Sequence, residues 1–109
     1  MIIEDTGLNG LKSELKVLDE AAGSLGFVRW QWEYYRATYD YEHDDDYILR
    51  INTRVTEGKL EDPVAVLEIT DVYAGKKTFP HGVDYDIELP SNVMKTFRDK
   101  LDQLKQKLS

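Results

Sequence analysis

Apolar residues recur along this chain with two different periods, and the change of period divides it into elements. Leu8, Leu11, Leu15, Leu18 and Ala22 are spaced by three and four residues, which places them on one face of a helix. Asn9 suits the start of that helix and Gly23 its end, the first as a capping side chain and the second as a residue free to take left-handed backbone. A second stripe, Val93, Met94, Phe97, Leu101, Leu104 and Leu108, runs to the C-terminus behind Pro90, with Ser91 as the expected N-cap.

Between these helices the period is two. Val28, Trp30, Trp32 and Tyr34 share one parity while Arg29, Gln31 and Glu33 share the other, the pattern of a strand with one buried side. After Tyr35 the parity changes: Tyr39 and Tyr41 continue the apolar set, followed by Tyr47, Leu49, Ile51 and Val55. A hairpin turning at residues 35–38 keeps every aromatic on one side, setting Tyr34 opposite Tyr39 and Trp32 opposite Tyr41. The same parity requires an odd loop before Tyr47. Asp44 to Asp46 supplies one, with His43 opposite Tyr47 and Asp40 opposite Arg50; a five-residue loop beginning at His43 also satisfies it. Residues 56–63 read as a turn around Gly58 and Pro63, residues 64–73 as a strand with Ala65, Leu67 and Ile69 inward, and residues 83–89 as a strand with Val83, Tyr85, Ile87 and Leu89 inward. The predicted fold is α+β: an antiparallel sheet of about five strands in meander order, with two helices packed on one face, forming a single domain over residues 1–109.

Composition narrows the functions open to this fold. The 109 residues, 41% hydrophobic, suffice for a core without staples. With no cysteine, disulfides, thiolate nucleophiles and cysteine-ligated metals are excluded. A net charge of −7 opposes nucleic-acid binding and attraction to anionic membranes. No stretch is apolar for the length of a membrane span, and the start MIIEDTGLNG lacks a basic segment leading into a signal core. A cytoplasmic location is expected.

The run LGF, then WEYYRATYDYEHD, YILRI, VTEGKLEDP and HGVD resembles the YugN-like proteins of Bacillus and relatives. The likeness covers roughly residues 20 to 85, with both flanking helices in the expected places. It implies a small α+β cytoplasmic protein of a Gram-positive bacterium, and it brings no catalytic residue with it.

Three groups of residues are candidates for chemistry. His43 with Asp44 to Asp46 is the weak candidate for a metal. The spacing fails the EF-hand pattern, since Tyr47 falls where its glycine belongs, and the other histidine, His81, lies in a distant loop. No metal and no cofactor is therefore expected. Glu33 and Asp40 could pair on the polar face for acid–base work, although a ladder with Arg29, Arg50 and Arg54 explains them more simply. The third group is the aromatic row Trp30, Trp32, Tyr34, Tyr39, Tyr41 and Tyr47, readable as core, as the wall of a cleft or as a contact between subunits. The leading expectation is a non-enzymatic protein acting as a homodimer or on a protein partner, through an edge strand or the aromatic rim. A small-molecule binder with its cleft between sheet and helices is the alternative, and an enzyme using Glu33, Asp40, His43 or His81 comes third.

Overall fold

The computed structural model describes residues 1–78 and 82–109, and of Trp32 the backbone alone. The chain runs β1 (Lys12–Glu14), α1 (Leu15–Ser24), β2 (Val28–Glu33), β3 (Arg36–His43), β4 (Tyr47–Glu57), β5 (Val66–Lys77), β6 (Val83–Asp84) and α2 (Ser91–Leu108). The strands form one antiparallel sheet in the order β1-β5-β4-β3-β2, and β6 pairs with β5 as well. The expected architecture is present: a meander of long strands with the two helices on one face. Leu15, Leu18, Ala21 and Ala22 of α1 and Val93, Phe97, Leu101 and Leu104 of α2 enclose the core with Tyr39, Leu49, Ile51, Leu67, Ile69, Val72 and Ala74 of the sheet. Phe97 is fully buried, a placement that stabilises the fold by about 1.5–3 kcal/mol.

Parity decides this core, and the long central hairpin follows it. His43 lies opposite Tyr47, Asp40 opposite Arg50 and Tyr39 opposite Ile51, so the loop is Asp44 to Asp46. Asp44 and Asp45 both take left-handed backbone, at φ 53° and 60°, and the Asp46 N–H donates to the His43 carbonyl at 3.2 Å. Aspartate tolerates this conformation better than most side chains, though less well than glycine.

The first hairpin differs from expectation. Its turn is Tyr34–Tyr35 rather than 35–38, and the register passes from Gln31 opposite Ala37 to Glu33 opposite Arg36. Trp32 is thus the extra residue of a β-bulge, which reverses the parity within the strand. Val28 and Trp30 lie opposite Asp40 and Thr38, away from the helices, while Arg29 lies opposite Tyr39 and faces them.

Other boundaries move as well, β5 among them, which spans Val66–Lys77 rather than residues 64–73. The helix expected behind an Asn9 cap begins only at Leu15, with Glu14 in the N-cap position, because Gly7 and Gly10 take left-handed backbone at φ 73° and 86°. Ile69 of β5 then donates its N–H to the Leu11 carbonyl and accepts from the Gly10 N–H, and Lys12–Glu14 pair with β5 as β1. A turn followed by a strand has reproduced the three- and four-residue spacing of Leu8, Leu11 and Leu15. The helix ends one turn past Ala22 on Gly26, at φ 95°, with Phe27 N–H donating to the Ala22 carbonyl and Gly26 N–H to that of Gly23, a Schellman closure. At α2 the N-cap position belongs to Pro90, and Ser91 is the first helical residue with no capping side-chain bond. Finally, the alternation of residues 83–89 is a strand only at Val83–Asp84. The Asp84 carboxylate accepts from the Asp86 N–H at 2.9 Å, turning the chain out of the sheet.

The Asp loop yields a direct test. Replacing Asp45 by glycine removes left-handed strain and one of three adjacent like charges, so D45G is expected to gain about 0.5–1 kcal/mol. Urea unfolding would show this as a higher midpoint at unchanged slope.

Candidate functional site

The bulge in β2 separates the aromatic row into groups with different surroundings. Tyr39, Tyr41 and Tyr47 face the helices. Tyr39 is 2% exposed, and its hydroxyl donates to the Asp19 carboxylate of α1 at 2.6 Å. Arg29 reaches the same carboxylate oxygen at 3.3 Å. Tyr41 packs its ring at 5.7 Å from Phe27 and 6.2 Å from Phe97, with the Lys100 ammonium 4.9 Å from its centre. These side chains fill the space between sheet and helices, so the cleft expected there is core. Trp30, by contrast, stands on the opposite face and is 55% exposed. Tyr34 lies at the hairpin turn, exposed, with the Lys59 ammonium 5.9 Å from its ring. The expected pairings of Tyr34 with Tyr39 and of Trp32 with Tyr41 do not form, and the Trp32 side chain lies outside the described residues.

The acidic and histidine candidates also separate. His43 Nε2 lies 3.2 Å from a carboxylate oxygen of Asp44, and the His43 ring stands edge-on at 6.2 Å from Phe97, on the helix side. Glu33 is at the hairpin end with Arg36, at 3.0 Å, and does not meet Asp40. His81 lies outside the described residues. Among the described residues no group of three or more metal-ligating side chains converges.

What the sheet does bring together is on its uncovered face. Val28, Asp40, Arg50 and Tyr73 form one transverse row, Trp30, Thr38, Asn52 and Asp71 the next, and Glu42, Ile48 and Gly75 a third. Asp40 is only 6% exposed although no helix covers it. The Arg50 guanidinium donates to both of its oxygens, Nε–H at 2.8 Å and Nη2–H at 2.9 Å, and a further Nη1–H donates to the Tyr85 hydroxyl at 2.8 Å. The carboxylate and the neighbouring Tyr85 hold Arg50 more firmly protonated than an ordinary arginine. Tyr85 reaches this position because β6 ends against Gly75, where a Cβ would lie 2.5 Å from the Asp84 carbonyl oxygen. Its ring packs 5.5 Å from that of Tyr73. Together Trp30, Asp40, Ile48, Arg50, Val83 and Tyr85 line a concavity of about 460 Å³. A separate hollow between α1 and the end of α2, lined by Val17, Glu20, Ala21, Ser24 and Lys107, gathers no buried polar group.

The Asp40–Arg50 pairing is legible in the sequence through the odd loop, but Tyr85 is not, because a regular strand would have turned it inward. The signal that could have found it is the Asp84-x-Asp86 pair, which marks the turn.

An antiparallel sheet closed by helices on one face, with a buried ion pair on the other, defines a two-layer α+β domain whose uncovered face is its candidate site. The chain belongs to the YugN-like family, whose model matches residues 4–107. It is 38% identical over 85 residues to the uncharacterized protein YlbA of Bacillus subtilis, a match spanning 74% of this chain and 71% of that one. It is also similar to the crystal structure of the uncharacterized conserved protein YugN from Geobacillus kaustophilus, with a TM-score of 0.86 and 34% identity over 99% of this chain and 94% of that one.

Two of these interactions make measurable predictions. Burial and the hydrogen bond to Asp19 push the Tyr39 phenol above its ordinary value of 10.0. The unfolded chain ionises there first, so the stability from Tyr39 is complete below pH 10 and drains as the pH rises above it. Tyr39→Phe is expected to cost about 1–2 kcal/mol at pH 7. Urea melts should show that deficit shrinking by about 1.4 kcal/mol per pH unit beyond 10. On the other face, Asp40→Ala strands a partly buried guanidinium and should cost about 2–4 kcal/mol. The double variant D40A/R50M should recover most of that loss in a double-mutant cycle.

Proposed function

We propose that this protein is a non-enzymatic, cytoplasmic binding protein that acts by self-association or on a protein partner, with the β2–β3 hairpin as the contact. The observation that carries this reading is the contrast between the two edges of the sheet. Along β5 the outer edge is occupied by β1, by a bridge from Ile2 to Tyr73 and by β6. Among the described residues nothing pairs with the outer edge of β2, and Val28, Trp30, Tyr34 and Tyr35 beside it are all at least half exposed. Unpaired edges invite strand addition, and sequences usually blunt them with charge or proline. Here Arg29, Glu33 and the bulge blunt the edge only in part, and beside them stand exposed aromatic rings, the residue types that interfaces favour.

The turn is also fixed in place before any partner arrives. The Tyr35 carbonyl accepts from Val55 N–H at 2.8 Å and the Tyr34 carbonyl from Leu60 N–H at 3.0 Å. A rigid, aromatic hairpin loses little conformational entropy on docking. The enzyme reading has no comparable support, since Glu33, Asp40 and His43 stand at three separate places.

Light scattering across the micromolar range tests the homodimer. The expected mass is that of two chains, falling to one in Trp30→Arg, which places a charge on the contact without touching the core. A wild-type protein that stays monomeric throughout that range contradicts self-association.

A further inference from the structure

We propose that the concavity on the uncovered sheet face is a binding site for a small, neutral, planar molecule that carries a carbonyl oxygen, such as an aromatic amide or lactam. This site shares Trp30 with the hairpin contact, but its donors lie on Arg50 and Tyr85, outside the hairpin turn, and it is tested on the monomer, so it does not depend on self-association.

Arg50 carries more donors than its partners take up. An arginine has five N–H groups. Three of those on Arg50 are engaged, two by Asp40 and one by Tyr85, which leaves one on Nη1 and one on Nη2 without a partner among the described residues. The Tyr85 oxygen accepts from Arg50, so its own proton remains to be given. The Arg50 side chain is 23% exposed, enough for these donors to be reached from the concavity. They are held still by the bidentate pairing below and by the ring of Tyr73 behind Tyr85. Fixed, unspent donors at the base of a hollow call for an oxygen acceptor.

Charge selects among acceptors. Asp40 offsets Arg50, and Glu42 offsets Lys77 at 3.1 Å, so the floor is neutral while the chain as a whole carries −7. A full anion would give up its hydration to meet a site without net positive charge. A carbonyl takes the same hydrogen bonds without that penalty. The remaining walls are apolar and one is flat: Trp30 at the rim, with Ile48 and Val83 beside it. An exposed indole beside such donors suits the face of a ring.

The experiment is an NMR titration of the isotope-labelled chain with benzamide, with benzoate as the anionic counterpart and cyclohexanecarboxamide as the non-planar one. It is run below the protein concentration at which light scattering shows any association. Benzamide should give saturable shifts at the Trp30 indole and at the Arg50 and Tyr85 signals, with a dissociation constant on the order of 1 mM, as befits so small a probe. Tyr85→Phe keeps the ring and removes only the donor, and should weaken binding about fivefold. Trp30→Ala should weaken it about tenfold, and both variants should retain the wild-type spectrum elsewhere. Shifts that do not saturate or centre on other residues, an affinity unchanged in Tyr85→Phe, or either comparison probe binding more tightly than benzamide would overturn the proposal.

Discussion

One extra residue in β2 governs which side chains this protein keeps and which it shows. The register passes from Gln31 opposite Ala37 to Glu33 opposite Arg36, and with that step the side-chain alternation of the strand reverses. Without it, a strand that closes on Tyr34–Tyr35 would place Trp30 beneath the helices and Arg29 in solvent. With it, Arg29 joins Tyr39 and Asp19 at the helix side, and Trp30 faces outward. The core is then closed by tyrosines whose hydroxyls and faces find α1 and α2, and the tryptophan is left for the surface.

The second face is built by different physics. Burying Asp40 on a sheet face without a helix above it is tolerable only because Arg50 meets both carboxylate oxygens and Tyr85 completes the set. Tyr85 in turn is there because Gly75 lets β6 lie close against β5. The same pairing helps cover the outer edge of β5, so one small residue serves both the concavity and the protection of that edge. The edge of β2 has no equivalent cover among the described residues, which leaves the sheet asymmetric: closed at β5 and open at β2.

Much of this was legible in the sequence, wherever parity ran without interruption. The central hairpin register, with Asp40 opposite Arg50 and His43 opposite Tyr47, follows from alternation and an odd loop alone. So do the inward positions of Ala65, Leu67 and Ile69. Parity fails where an irregularity costs little and leaves no mark. The alternation of Val28 to Tyr34 reads as one uninterrupted strand closed by an even turn, and no residue type at Trp32 marks the bulge that breaks it. Gly7 and Gly10 did carry a mark, since glycines inside a helical pattern count against it. The leucine spacing masked them. The candidate site shares this division: the ion pair came from register, whereas Tyr85 and the outward turn of Trp30 depended on the two irregular segments.

The β2 bulge turns Trp30 outward while Tyr39 and Tyr41 fill the core. Trp30 and Trp32 are the only tryptophans in the chain, so Trp32→Phe leaves Trp30 as the sole indole reporter. Iodide quenching of its fluorescence in dilute protein is the most direct measurement. An indole on the uncovered face should be quenched nearly as readily in the folded chain as in urea. A folded chain that shields Trp30 from iodide would place it beneath the helices and contradict the bulge.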